Sequence, residues 1–122
     1  MLSNIRPIRE FVVRPALPPQ LSRMQELACN ILWAWEPPIR ALFRRLDPMM
    51  WKESGYNPVV MLGRISQATL ERMAADPRYI AQYQLACQRF DSHIKYPSGT
   101  VDGKVIAYFS AEYGLTECLP VY

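Results

Sequence analysis

The chain has 122 residues, a length that suits one domain with a short extension into a second. Half of its residues are apolar and a fifth are charged, as in ordinary soluble globular proteins. The formal net charge of +3 is small and spread along the chain, which argues against a nucleic-acid-binding protein. No apolar run approaches the ~20 residues of a membrane span, and the N-terminus lacks the apolar run of a signal peptide. We therefore expect a cytoplasmic protein that neither enters nor crosses a membrane.

The first third of the chain predicts a short extended arm and two helices. Residues 5–14 favour a β or polyproline arm bounded by prolines, and apolar residues then fall at helical spacing as far as Trp35. This spacing predicts one amphipathic helix of about four turns, which ends before Pro37 and Pro38. A second helix restarts at those prolines. Its predicted buried face consists of Ile39, Leu42, Phe43 and Leu46.

A capping residue followed by proline recurs three times, at Asp47-Pro48, Asn57-Pro58 and Asp76-Pro77. The capping side chain accepts hydrogen bonds from free N–H groups of the first turn, and proline suits the first helical position. These pairs predict helices over about Pro48–Glu53, Pro58–Gly63 and Pro77–Lys95. Ser66 predicts a further helix start, over 67–75, with Leu70 and Met73 inward. The buried stripe predicted for the last helix consists of Tyr79, Tyr83, Ala86, Phe90 and Ile94, widened by Ile80 and Cys87.

The character of the chain changes after Tyr96. Residues 97–104 are rich in turn formers, and residues 105–109 form a β-favouring, mostly apolar run typical of a strand buried in a parallel sheet. We divide the chain into a helical domain over 1–96, a linker over 97–104 and the start of a second domain over 105–122. The predicted fold is mainly α, a bundle of five or six helices, with a C-terminal strand that begins a truncated Rossmann-like α/β domain.

The patterns point to few candidate functional residues. His93 is the single histidine, and a surface position near a helix end explains it. Arg40, Arg44 and Arg45 could hold a phosphate or an acidic partner, although a pair at i,i+4 more often forms a solvated face. The cysteines at 29, 87 and 118 are odd in number and widely spaced, which argues against a disulfide framework and against zinc, so we expect reduced thiols.

Two further sets could take part in sugar binding. Trp33, Trp35 and Trp51 could stack on sugar rings, but core packing explains them better, with Trp35 in the core, Trp51 fixing a short helix and Trp33 bridging helix contacts. Glu112 follows the predicted strand, where a carboxylate could bind a sugar hydroxyl. On spacing alone, a structural role for Glu112 in the loop explains its position equally well. The sequence contains no complete catalytic constellation and no recognisable metal site.

Several segments resemble a known enzyme family. Residues 27–35 (LACNILWAW), 42–48 (LFRRLDP), Trp51 and 55–58 (GYNP) are similar to the helical N-terminal domain of bacterial and archaeal α-glucan phosphorylases, which act on glycogen or maltodextrin. Residues 106–115 (IAYFSAEYGL) and 117–122 (ECLPVY) resemble the opening of the catalytic domain of the same enzymes. The resemblance extends from about Pro18 onward.

The resemblance implies a function for a longer enzyme. Such an enzyme has two Rossmann-like domains and uses pyridoxal phosphate, bound to a lysine far downstream, to release glucose 1-phosphate from α-1,4-glucan and phosphate. The resemblance places Glu112 near the sugar pocket of that enzyme. It implies no cofactor-binding residue and no catalytic residue within this chain. The partners implied are the remainder of the catalytic domain, α-glucan and phosphate, with no nucleic acid and no membrane.

Two interpretations follow. In the first, the chain is an inactive N-terminal fragment of such a phosphorylase, whose helical part packs on the catalytic domain, helps assembly or contacts glucan. In the second, it is a stand-alone helical interaction module whose C-terminal strand pairs with the sheet of another chain. Neither interpretation predicts an oligomeric state.

Overall fold

A computed structural model of the chain describes residues 14–95, 103–104 and 115–119. Within these ranges the protein has six α-helices, two short 3-10 helices and no strand, which confirms the mainly helical class. The predicted strand over 105–109, most of the predicted arm over 5–14 and most of the linker over 97–104 lie outside the described residues. The strand and the Rossmann-like domain therefore stay predictions.

The predicted first helix is divided into three pieces, so the expectation of one continuous helix is wrong. A 3-10 turn over Pro19–Leu21 precedes α1, Met24–Cys29, and a second 3-10 turn covers Ile31–Ala34. Between them, Asn30 adopts an extended conformation, and its side-chain oxygen accepts a hydrogen bond of 3.0 Å from the backbone N–H of Leu32. An asparagine side chain that binds the nearby backbone in this way competes with helix continuation.

The remaining five helices begin where capping residues and prolines predict them. Their bounds are α2, Pro37–Leu46; α3, Pro48–Glu53; α4, Pro58–Arg64; α5, Gln67–Ala74; and α6, Pro77–Lys95.

The predicted capping interactions are present at the starts of four helices. The Asp47 carboxylate accepts hydrogen bonds from the N–H groups of Met49 and Met50, at 3.0 and 2.9 Å. The side-chain oxygen of Asn57 does the same at the start of α4, at 3.0 and 3.2 Å. At α6, Asp76 accepts from the N–H of residue 78 at 2.9 Å, and at α5, Ser66 accepts from that of residue 69 at 3.1 Å. Each cap satisfies N–H groups that have no partner within the helix, so these starts are set locally.

The long helix α6 organises the bundle. It packs most extensively against α2, and the buried hydroxyl of Tyr79 donates a hydrogen bond of 3.2 Å to the carbonyl of Leu42. Arg23, just before α1, binds both carboxylate oxygens of Asp91 on α6 at 2.7 and 3.1 Å. The same guanidinium lies 5.7 Å from the ring centroid of Phe90. Elsewhere α1 packs on α4 and α5 packs on α6, so all six helices surround one core.

The core contains the faces that helical spacing predicts for α2, α5 and most of α6. Two predicted core residues are exceptions, since Trp35 is 55% exposed and Ile94 is 57% exposed. Trp35 follows the second 3-10 turn, so the four-turn periodicity that placed it inward does not hold there. Ile94 lies in the last turn of α6, beyond the buried part of its stripe. In the part of the chain that the structure describes, no helix is both long and apolar enough to cross a bilayer.

Candidate binding groove

Two adjoining hollows form a groove on one side of α2 and α3. The first has a volume of about 370 Å³ and is lined by side chains of the 3-10 turn, α2 and α3 together with Leu115, Thr116 and Glu117. The second, about 610 Å³, lies over α2 and α3. Both are lined by Arg40, Trp51 and Tyr56. We call these two hollows together the Arg40–Trp51 groove.

The floor of the groove is a cluster of aromatic rings around Trp51. This ring stacks against Phe43 at a centroid distance of 6.3 Å, and it meets Trp33 and Tyr56 edge to face at 6.0 and 5.9 Å. Trp51 is only 6% exposed, so the other rings cover most of its surface. The expectation that Trp33 and Trp51 serve packing is confirmed, and neither offers an open face to a sugar ring.

Tyr56 owes its position to an unusual turn. Gly55 and Tyr56 both have left-handed backbone conformations, with φ of 66° and 60°. The left-handed region is uncommon for residues with a β-carbon and is often found near functional sites. Here it reverses the chain after α3 and brings the tyrosine ring against Trp51. Sequence patterns did not identify Tyr56 as a groove residue; an aromatic residue directly after a helix-ending glycine is the signal that was available.

The walls of the groove carry a positive charge. Arg40, Arg44 and Lys52 are exposed and line the second hollow, and none of the described residues that line it is acidic. Arg40 also donates a hydrogen bond of 3.2 Å to the carbonyl of Ala34. Among the residues that the structure describes along the two hollows, Glu117 in the first hollow is the single acidic one. Arginine pairs well with carboxylates and phosphates because its guanidinium donates two parallel hydrogen bonds. The groove can therefore accept an anionic group on its α2–α3 side.

Two other candidate residues, Arg45 and His93, do not line this groove. Arg45 binds the side-chain oxygen of Gln82 at 2.9 Å and lies 3.8 Å from the Asp76 carboxylate, so it connects α2 to α6. His93, predicted as a surface residue near a helix end, is exposed in the last turn of α6, where its Nε2 lies 2.6 Å from the carboxylate of Glu36. Glu112 lies outside the described residues, and its proposed contact with sugar stays a prediction.

The three cysteines have different surroundings. Cys87 is buried on α6, and burial raises the pKa of its thiol. Cys29 is exposed at the end of α1, and Cys118 is partly buried and packs against the core. Cys29 and Cys118 line a third hollow of about 210 Å³.

Comparison with known proteins gives consistent matches. The family model described as "Protein of unknown function (DUF3417)" matches residues 17–119. A glycogen phosphorylase of Mycobacterium tuberculosis is 30% identical over 129 aligned residues, covering 97% of this chain and 15% of the relative. A glycogen phosphorylase of Aquifex aeolicus is 34% identical over 80% of this chain, and a maltodextrin phosphorylase of Thermococcus litoralis is 28% identical over 90%.

The chain spans about 15% of the length of these curated relatives. No solved structure gives a significant match. The resemblance to α-glucan phosphorylases is confirmed, since relatives of that name match nearly the whole chain. The helical bundle lies within the matched residues, and the chain belongs to the DUF3417 family.

Proposed function

We propose that this chain is the N-terminal helical part and catalytic-domain opening of an α-glucan phosphorylase. The whole enzyme would release glucose 1-phosphate from α-1,4-glucan and inorganic phosphate in the cytoplasm. The observation that carries the proposal is the match of 97% of this chain to 15% of a glycogen phosphorylase. The helical domain would comprise residues 1–96, the linker 97–104 and the start of the catalytic domain 105–122.

The chemistry of that reaction belongs to residues outside this chain. Pyridoxal phosphate would supply its phosphate group as an acid and base from a lysine elsewhere in the enzyme. Lys52, the lysine that lines the Arg40–Trp51 groove, is exposed and does not provide the desolvated amine that favours a Schiff base. We therefore assign no catalytic step to the described residues.

The helical bundle would hold the first loop of the catalytic domain in place. Leu115, Thr116 and Glu117 line the groove beside Trp33 and the Trp51 cluster, and residue 118 packs against the core. These residues begin three positions after Glu112, the residue that the resemblance places near the sugar. A rigid support for a substrate-contacting loop limits its conformations before substrate binds, which favours binding and reaction.

The positive wall of the groove would meet the remainder of the catalytic domain. Arg44 and Lys52 lie beyond the part of the groove that residues 115–117 line, and their hollow has no acidic residue among its described lining. Acidic groups of the downstream chain would complement this charge, since electrostatic complementarity favours correct docking between surfaces. In this arrangement the groove is an interface between the two parts of one enzyme.

The function is tested by assaying glucose 1-phosphate release from maltodextrin and phosphate. We expect no release by the 122-residue chain and clear release by the same chain extended through the downstream reading frame. Activity of the short chain would contradict the proposal. A stop codon directly after Tyr122 in an intact gene, together with binding of the chain to another protein's sheet, would instead support a stand-alone interaction module.

The docking role is tested in the extended enzyme by reversing one charge of the groove. We expect Arg44→Glu to lower the thermal stability of the extended enzyme and leave that of residues 1–122 unchanged. Arg72→Glu is the matched control, because Arg72 is exposed on α5 and does not line the groove. Equal behaviour of the two variants in the extended enzyme would show that Arg44 does not face the downstream chain.

A further inference from the structure

Two cysteines that are far apart in sequence line the same small hollow. Cys29 is the last residue of α1, and Cys118 lies in the short turn formed by residues 116–119. The hollow between them has a volume of about 210 Å³, and its other walls include Trp33 and Asn57. The C-terminal end of α1 and the turn at 116–119 thus line one hollow.

Both cysteines line this hollow, and both sulfur atoms have polar neighbours. The Sγ of Cys29 accepts a hydrogen bond of 3.2 Å from the side-chain amide of Gln25, and the Sγ of Cys118 lies 3.8 Å from the hydroxyl oxygen of Thr116. Cys87 differs from this pair, since it is buried and its pKa is raised. Reagents in solution reach exposed thiols more readily than buried ones, so we expect Cys29 and Cys118 to react and the buried Cys87 to stay inert.

We propose that Cys29 and Cys118 form a reversible disulfide when a low-molecular-weight disulfide such as oxidised glutathione is present. The bond ties the end of α1 to residues 115–119. Disulfides in proteins of reducing compartments are usually transient and redox-sensing, and this one is of that kind. If the function proposed above holds, the bond fixes the first loop of the catalytic domain to the helical bundle under oxidising conditions.

The reaction proceeds by two exchange steps. The thiolate of Cys29, the more exposed residue, attacks one sulfur of oxidised glutathione, whose S–S bond breaks and releases one glutathione thiolate. The thiolate of Cys118 then attacks the Cys29 sulfur and releases the second glutathione thiolate. The protein loses two electrons and two thiol protons, and these reduce and protonate the two glutathione molecules. A disulfide needs Cα atoms about 4.4–6.8 Å apart, so the proposal includes an approach of the turn at 116–119 to the end of α1.

The test uses residues 1–122 at low protein concentration. The chain is incubated with oxidised glutathione, free thiols are alkylated, and non-reduced peptides are mapped by mass spectrometry. We expect a cross-linked peptide pair that contains Cys29 and Cys118, in a monomer, with Cys87 alkylated only after denaturation. Cys29→Ser and Cys118→Ser abolish the cross-link, whereas the matched control Cys87→Ser retains it.

A second measurement reports on the native conformation. The oxidised chain is expected to have a higher Tm than the reduced chain, because a cross-link over a long loop restricts the unfolded state. Dithiothreitol reverses the increase, and Cys118→Ser shows none. Stable mixed disulfides with glutathione on both cysteines, a bond to Cys87, or dimers joined through Cys29 would each overturn the proposal. A Tm that stays unchanged or falls on cross-linking would also overturn it.

Discussion

Truncation of Trp51 to alanine should remove a large part of the stability of the helical bundle. The side chain is 6% exposed and contacts three other aromatic rings. A buried aromatic side chain covers about 150–250 Å² of surface, which corresponds to about 4–6 kcal/mol at about 25 cal/mol per Å². Measured losses for tryptophan or phenylalanine to alanine are about 3–5 kcal/mol, and we expect about 4 kcal/mol here.

The matched control is Trp35→Ala, which removes the same side chain from a position that is 55% exposed. We expect its effect to stay within about 0.5 kcal/mol. Urea unfolding followed by far-ultraviolet circular dichroism measures both variants, with equal m-values as evidence of an unchanged folded state. A loss of less than about 1 kcal/mol for Trp51→Ala, or an equal loss for both variants, would refute the packing argument.

Three further predictions concern the caps, one ion pair and glucan binding. Asp47→Ala and Asn57→Ala should each lower the free energy of unfolding by about 1 kcal/mol, and a loss near zero in urea titrations would show that the caps are dispensable. Arg23 holds the pKa of Asp91 below its usual 3.8, so this pair's contribution is present above pH 3.8 and is lost as the pH falls through the lower folded-state pKa. Thermal unfolding should show wild type and Asp91→Asn differing above pH 3.8 and converging at lower pH, and a constant difference would contradict this. Maltoheptaose below millimolar concentration should cause no saturable change in tryptophan fluorescence, and a change that disappears in Trp35→Ala would identify the exposed ring as a sugar contact.

Most of the helix starts could be predicted from the sequence because their causes are local. A capping side chain and the proline after it act within one turn of the backbone, so Asp47, Asn57 and Asp76 have the same effect in any tertiary surrounding. The interruption of the first predicted helix at Asn30 also has a local cause. The spacing of apolar residues continues across Asn30, so periodicity alone did not reveal the interruption. Capping chemistry at Asn30 was the available signal.

The degree of burial was less predictable than the helices themselves. Periodicity identifies one face of a helix, but another element must cover that face before its residues are buried. Trp33 and Trp35 are two residues apart in the sequence but differ in burial. Trp33 packs on the Trp51 cluster, whereas Trp35 is 55% exposed. Ile94 continues the stripe of α6 beyond the part of the helix that is covered.

The sequence by itself determined the helical class, the five proline- or serine-marked helix starts and the phosphorylase resemblance. Tertiary structure decided which side chains share a surface. Residues 115–117 line the Arg40–Trp51 groove together with residues of α2 and α3. Cys29 and Cys118 line the third hollow together. Such long-range proximity depends on how helices pack, because contacts between distant segments form only when the folded core brings them together.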